Sequence, residues 1–178
     1  MKTNKKLFTE IATNQQISKS FNLLNNLPNP DKIFQNTGRK YSNYRDLLND
    51  PHLWSCIQSR KSGVLAFDFE IKQSNASSNA YSLIQAAFEQ INLNQLIRDI
   101  LDAPLFGFQP LEIMWNIFDF GANVVLPEKI VPKPQEWFEF NRSGELLFKQ
   151  QAGLQNISLP DSKFLIVQYE PTYINPYG

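Results

Sequence analysis

Two hydrophobic periods alternate along the chain, and the changes between them mark out its elements. In "DPHLWSCIQSRKSGVLAFDFEI", Asp50 stands as an N-cap and Pro51 occupies the first helical position. Leu53, Cys56, Ile57 and Val64 then fall on one side of a predicted helix, with Arg60 and Lys61 toward its C-terminal end. From Val64 the period drops to two. Leu65, Phe67, Phe69 and Ile71 share one face against Asp68, Glu70 and Lys72, which predicts a half-buried strand entered through Gly63. "QSNASSNA" reads as a loop, followed by helical stretches over roughly 78–91 and 93–105. Asn92 or Asn94 is placed to cap the second, Pro104 weakens its last turn and Gly107 closes it. "QPLEIMWNIF" alternates Leu111, Ile113, Trp115 and Ile117 against Glu112 and Asn116, a strand pattern. "DFGAN" is a turn, "EWFEF" and "ELLFK" flank the hairpin connection "NRSG", and "KFLIVQYE" is a further strand after a turn at "LPDS". Phe67, Phe69, Ile113 and Trp115 are expected in one core.

Helices first and hairpins afterwards favour an α+β fold, with several helices packed on a mostly antiparallel, hairpin-rich sheet. Residues 1–41 are rich in Asn, Gln, Lys and Ser, and the prolines of "PNPDKIF" block a continuing helix. This part reads as a polar N-terminal arm, mobile unless a partner or the domain body ties it down. Residues 42–178 form the α+β domain, opening on a short helix at "SNYRDLLND" capped by Ser42 or Asn43.

Seventeen basic and seventeen acidic side chains leave no net charge. That balance argues against a protein whose main task is gripping nucleic acid through phosphate neutralisation. One cysteine permits no internal disulfide, and no stretch has the length of a signal peptide or a membrane span, so a soluble intracellular protein is expected.

The only His and the only Cys, His52 and Cys56, stand one helical turn apart. An imidazole beside a thiolate suits nucleophilic catalysis, and a small cysteine hydrolase using Cys56 and His52 is the alternative enzymatic reading. Nucleophile and base in such sites normally come from separate elements, however, and the apolar neighbours of Cys56 favour a packing role. One His and one Cys cannot hold a structural zinc, and no phosphate-binding glycine motif occurs, so neither metal nor cofactor is expected. Glu136, Glu139 and Glu145 read as solvated strand faces. Arg39, Lys40, Tyr41, Tyr44 and Arg45 interleave base-stacking and phosphate-binding side chains, a candidate DNA or subunit contact diluted by Asp46 and Asp50.

Four blocks, in order, resemble the portal proteins of Mu-like phages. "DPHLWSCIQSRKSGVLAFDFEI" resembles the family segment in which an acidic-Pro-His start leads through "RK" into a strand. "LIRDILDAPLFGFQPLEIMWN" is similar to its helix, glycine turn and Trp-ended strand. "PKPQEWFEFNRSGELLF" is similar to its proline, aromatic, turn and leucine pattern, and "LPDSKFLIVQYEPTYINPYG" to its "K-F-I-V" strand and sequel. The resemblance spans roughly 42–178. It implies a wing-like α+β domain of a structural ring, usually of twelve subunits, at one capsid vertex. DNA passes through such a ring, terminase drives packaging, and capsid and neck proteins and the tail attach to it. No enzyme activity, cofactor or membrane is implied. The expected location is the virion, with the bacterial host cytoplasm during assembly or expression from a prophage. Nothing in these residues corresponds to the family's later stem and channel helices, so the chain alone is expected to be monomeric. A different virion adaptor module is a further alternative.

Overall fold

The computed structural model describes residues 8–12, 27, 29, 41–150 and 156–178. Its elements are α1 (Tyr41–Leu47), α2 (Pro51–Leu65), α3 (Ser78–Gln90), α4 (Leu93–Ile100), α5 (Ala103–Phe106), β1 (Phe108–Asp119), β2 (Asn123–Pro132), β3 (Phe138–Phe140), β4 (Leu146–Phe148), β5 (Ile157–Ser158) and β6 (Phe164–Gln168). A single 3₁₀ turn, Gln135–Trp137, joins β2 to β3. The strands form two antiparallel sheets ordered β2-β1-β6 and β3-β4-β5. This is the α+β arrangement of helices and hairpin-rich sheets expected from the chain.

Helix starts follow their capping chemistry. The Asp50 carboxylate accepts from the His52 and Leu53 amides at 2.8 and 3.0 Å, and Pro51 supplies the preset φ of the first turn. Ser77 caps α3 through the Ala80 amide, and Asn92 caps α4 through the Gln95 amide. The stretch expected as one helix over 93–105 is two. Pro104 has no N–H to continue the ladder, and its ring opposes the carbonyl of Ile100, the residue at which α4 stops. Gly107 then ends α5 at φ +85°, with the Tyr177 carbonyl oxygen 2.0 Å from where a Cβ would sit. Helix α1 begins at Tyr41, so Ser42 and Asn43 lie within it rather than capping it.

The predicted strand over 65–71 does not form. Helix α2 runs through Gly63 to Leu65, and among the described residues no strand pairs with those that follow. Alternation alone cannot make a strand without a neighbour to satisfy its amides and carbonyls. Phe67 and Phe69 therefore stand in solvent at 70% and 56% exposure, outside the core assigned to them. Ile113 and Trp115 are half-buried rather than core. Both lie beyond Glu112, where β6 ends its pairing and β1 and β2 continue as a two-stranded ribbon. A bulge between Met114 and Trp115 kinks that ribbon.

The core is an aromatic cluster of Tyr41, Phe106, Phe108, Phe138, Phe140, Phe148 and Tyr177, with Leu146. Phe108 of β1 sits edge-on to Tyr41, Phe140 and Tyr177, and Phe138 of β3 edge-on to Phe164 of β6, so the rings join the two sheets. Ala12 and Leu27, described parts of the N-terminal segment, pack against the same cluster.

Candidate functional site

Beside this core lies a charged slot built from three strand-flanking residues. Glu112 of β1 is fully buried, although the strand alternation placed it on a polar face. Lys133 follows β2, Lys163 precedes β6, and both ammonium groups are buried. The Glu112 carboxylate lies 3.2 Å from Lys133 Nζ and 3.6 Å from Lys163 Nζ. Burial pushes the Lys163 ammonium below the usual lysine range, and the Glu112 charge pulls it back.

Residues 10–12 close the slot. The Ile11 and Ala12 amides donate to the two Glu112 carboxylate oxygens at 2.6 and 3.2 Å. Lys133 Nζ donates to the Ala12 carbonyl at 3.0 Å and pairs with the Glu10 carboxylate. Ala12 is itself fully buried. A second tie lies at Leu27, whose amide donates to the Phe140 carbonyl at 2.8 Å. The Leu27 carbonyl accepts from Tyr177 Oη at 2.7 Å. Sequence reasoning missed this slot. Its one signal is a carboxylate, Glu112, set between Leu111 and Ile113 in a strand with strands on both sides.

The basic-aromatic set is placed as follows. Arg39 and Lys40 lie outside the described residues. Tyr41 is buried in the core, its hydroxyl accepting from Asn29 at 3.1 Å, and Tyr44 is half-buried against the same cluster. The Arg45 guanidinium donates to Gln135 at 2.7 Å, pairs with Glu136 at 2.8 Å and stands 5.0 Å over the Phe106 ring. The structure thus brings Tyr41, Tyr44 and Arg45 together against the body, with Glu136 ion-paired rather than simply solvated. An open pocket of about 210 Å³ is lined by Tyr41, Tyr44, Phe106, Tyr169 and Tyr177 among others.

His52 and Cys56 come within 3.9 Å of one another across one turn of α2. Cys56 is exposed, not packed, because α2 buries none of its residues. Exposure makes the thiol accessible whatever its role, so labelling speed alone does not separate a catalytic from an idle cysteine. Among the described residues no third side chain orients His52, as a catalytic base requires. Among the described residues, no three His, Cys, Asp or Glu side chains gather to hold a metal, and no helix is long and apolar enough to cross a membrane.

Several large apolar side chains are exposed. Ile84 and Phe88, one turn apart on α3, are 45% and 40% exposed. Trp54 on α2, Phe67 and Phe69 after it, and Ile117, Phe120 and Val125 around the tip of the β1–β2 ribbon are also open.

No curated protein matches the chain. A family model described as the portal protein of Mu bacteriophage matches residues 41–178, which takes in every described helix and strand and leaves out residues 1–40. A match over that much of the chain places it, by its α+β body, in the Mu bacteriophage portal protein family, whose members have a structural role in the phage particle.

Proposed function

We propose that this chain is a portal subunit component: part of the ring at one capsid vertex through which DNA is packaged and ejected, and to which neck and tail attach. The family match over 41–178 carries the reading. The open apolar side chains of α3, the 66–70 stretch and the β1–β2 ribbon support it, since a ring subunit presents two different surfaces to its neighbours. Terminase, capsid and neck proteins are its proposed partners, and duplex DNA its transient one. The chain works without enzyme activity or cofactor. Its 1–41 segment acts as an arm on a 42–178 wing-like domain.

The zero net charge suits a conduit, because DNA must slide past rather than be held. Tyr41, Tyr44 and Arg45 then serve subunit contacts or the stiffness of the wall more than phosphate binding. Duplex DNA binds weakly, with a shallow salt dependence. Tight, salt-sensitive binding would point to a nucleic-acid-binding module.

Immunogold electron microscopy of particles from the encoding phage or prophage, using antibody against residues 41–178, tests the location. Label at a single vertex is expected, and label spread over the shell or confined to the tail would reject the reading. A cysteine hydrolase is the competing reading, resting on the 3.9 Å Cys56–His52 contact. It requires a hydrolytic turnover that both Cys56→Ala and His52→Ala abolish.

A further inference from the structure

A strand at the edge of a sheet carries amides and carbonyls that its own sheet leaves unpaired, and folds blunt such edges with proline, charge, bulges or cover. Among the described residues the two sheets have four edges, at β2, β6, β3 and β5. Three are blunted. Along β2, Pro127 and Pro132 lack donors, Glu128 and Lys129 add charge, and a bulge falls opposite Met114–Trp115. At β3, the Phe140 carbonyl accepts from the Leu27 amide, and the Phe140 amide donates to Tyr177 Oη. Strand β5 is only Ile157–Ser158. The fourth edge, β6, has none of these devices, for Phe164–Gln168 reads "FLIVQ", with no charge and no proline.

The register fixes which groups this edge offers. The Ile113 amide donates to the Lys163 carbonyl at 2.7 Å, and the Tyr169 amide to the Gly107 carbonyl at 2.8 Å. Lys163, Leu165, Val167 and Tyr169 therefore turn their backbone toward β1. Phe164, Ile166 and Gln168 turn theirs outward, and among the described residues nothing bonds to those amides and carbonyls. The Gln168 side chain alone is engaged, donating to the Pro176 carbonyl. Leu165 and Ile166, on opposite faces of the sheet, are 36% and 37% exposed, so the middle of the edge is open on both sides.

Charge decides what fits. Asp161 stands before β6 and Glu170 after it, both exposed and in no ion pair among the described residues. A second copy of β6 is disfavoured on that count. Antiparallel pairing centred on Ile166 brings Asp161 of each copy toward Glu170 of the other, and parallel pairing sets each acid against itself. An apolar strand with a basic residue at each end meets the same edge with opposite charges. We propose that β6 binds an added strand from another protein, an extended apolar segment flanked by Lys or Arg, through the outward backbone of Phe164, Ile166 and Gln168. The proposal does not rest on the portal reading, and its failure leaves that reading untouched.

The probe is a fluorescent peptide, Lys-Val-Thr-Val-Thr-Val-Lys, titrated with the full chain at low salt and read by anisotropy. Two further forms carry backbone N-methyl groups, one on the valines and one on the threonines. A bound strand turns one set toward β6 and the other away, so one form loses more than about tenfold in affinity and the other keeps it. Asp161→Lys and Glu170→Lys each weaken the lysine peptide about threefold. Amide exchange read by NMR locates the strand. The Phe164, Ile166 and Gln168 amides exchange fast in the free chain and slow down with peptide, while those of Leu165 and Val167 are slow in both. Equal binding of the two N-methylated forms, protection away from β6, or no binding up to the peptide's solubility would each overturn the proposal. So would light scattering showing that the chain alone pairs through β6, which would give the edge to a second copy.

Discussion

Replacing Phe108 with alanine is the most direct probe of the core. The ring is fully buried at the first position of β1 and meets Phe140, Tyr177 and Tyr41 at centroid separations of 5.2, 5.9 and 6.0 Å. A buried Phe→Ala change costs about 3–5 kcal/mol through lost transfer energy and the cavity left behind. Three edge-on partners, each worth about 0.5–1.5 kcal/mol beyond its area, place this site toward the top of that range. The matched control is Phe67→Ala, because that ring stands 70% exposed after α2. An exposed truncation of this kind stays within about 0.5 kcal/mol. Urea unfolding followed by tryptophan fluorescence compares the two midpoints at constant slope, and a thermal scan should show Phe108→Ala lower by about 8–20 °C. If the two variants lose similar stability, residues 65–71 are buried as their alternation suggested, and the exposed placement of Phe67 is wrong. A loss below about 1.5 kcal/mol for Phe108→Ala would instead remove it from the core.

Burial pushes the Tyr177 hydroxyl up to about 12, from an ordinary 10.0. Between those values the unfolded chain gives up the proton and the folded one keeps it, so about 2–3 kcal/mol of stability disappears as pH rises through that window. Tyr177→Phe should flatten this slope in urea titrations between pH 9 and 12, and an unchanged slope would assign it to another group. Lys133→Met strands the buried Glu112 with its more distant partner Lys163 and should cost about 3–5 kcal/mol in the same assay. The same change at exposed Lys129 is the comparison, and equal losses would refute the slot. Asp50→Ala removes the carboxylate that accepts from His52 and Leu53, and should lower stability by about 1 kcal/mol. No change would mean that α2 frays without consequence for the body.

Most of the local chemistry was legible in the sequence, the Ser42 or Asn43 cap and the unbroken 93–105 helix excepted, and long-range partnership was not. The Asp50–Pro51 start and the Asn141–Gly144 turn depend on residues a few positions apart and stand where the sequence puts them; Asn92 is one of the two caps it offered, and Gly107 closes α5 rather than a single 93–105 helix. The 65–71 pattern misled because period two marks a chain able to pair, while pairing depends on a strand elsewhere. The Glu112 slot was invisible for a related reason. Its lysines lie 21 and 51 positions away, at Lys133 and Lys163, and nothing local distinguishes them from solvated lysines. The family's own motifs pointed to roughly 42–178, and residues 10–12, which complete the buried charges, lie outside them.

The aromatic core also sets the order in which the molecule can be made. Phe108 and Phe140 touch Tyr177 at 5.9 and 4.8 Å, so the cluster stays open until Tyr177 has left the ribosome. Leu27 waits longer still, since its carbonyl takes the Tyr177 hydroxyl 150 positions away. Contacts of such separation carry a large loop-closure cost before they return any stability, and chains built on them fold slowly. During synthesis the helices can form early, but the sheets wait with their rings uncovered and in need of shielding from one another. The arrival of Tyr177, not helix formation, therefore sets when the aromatic cluster can close.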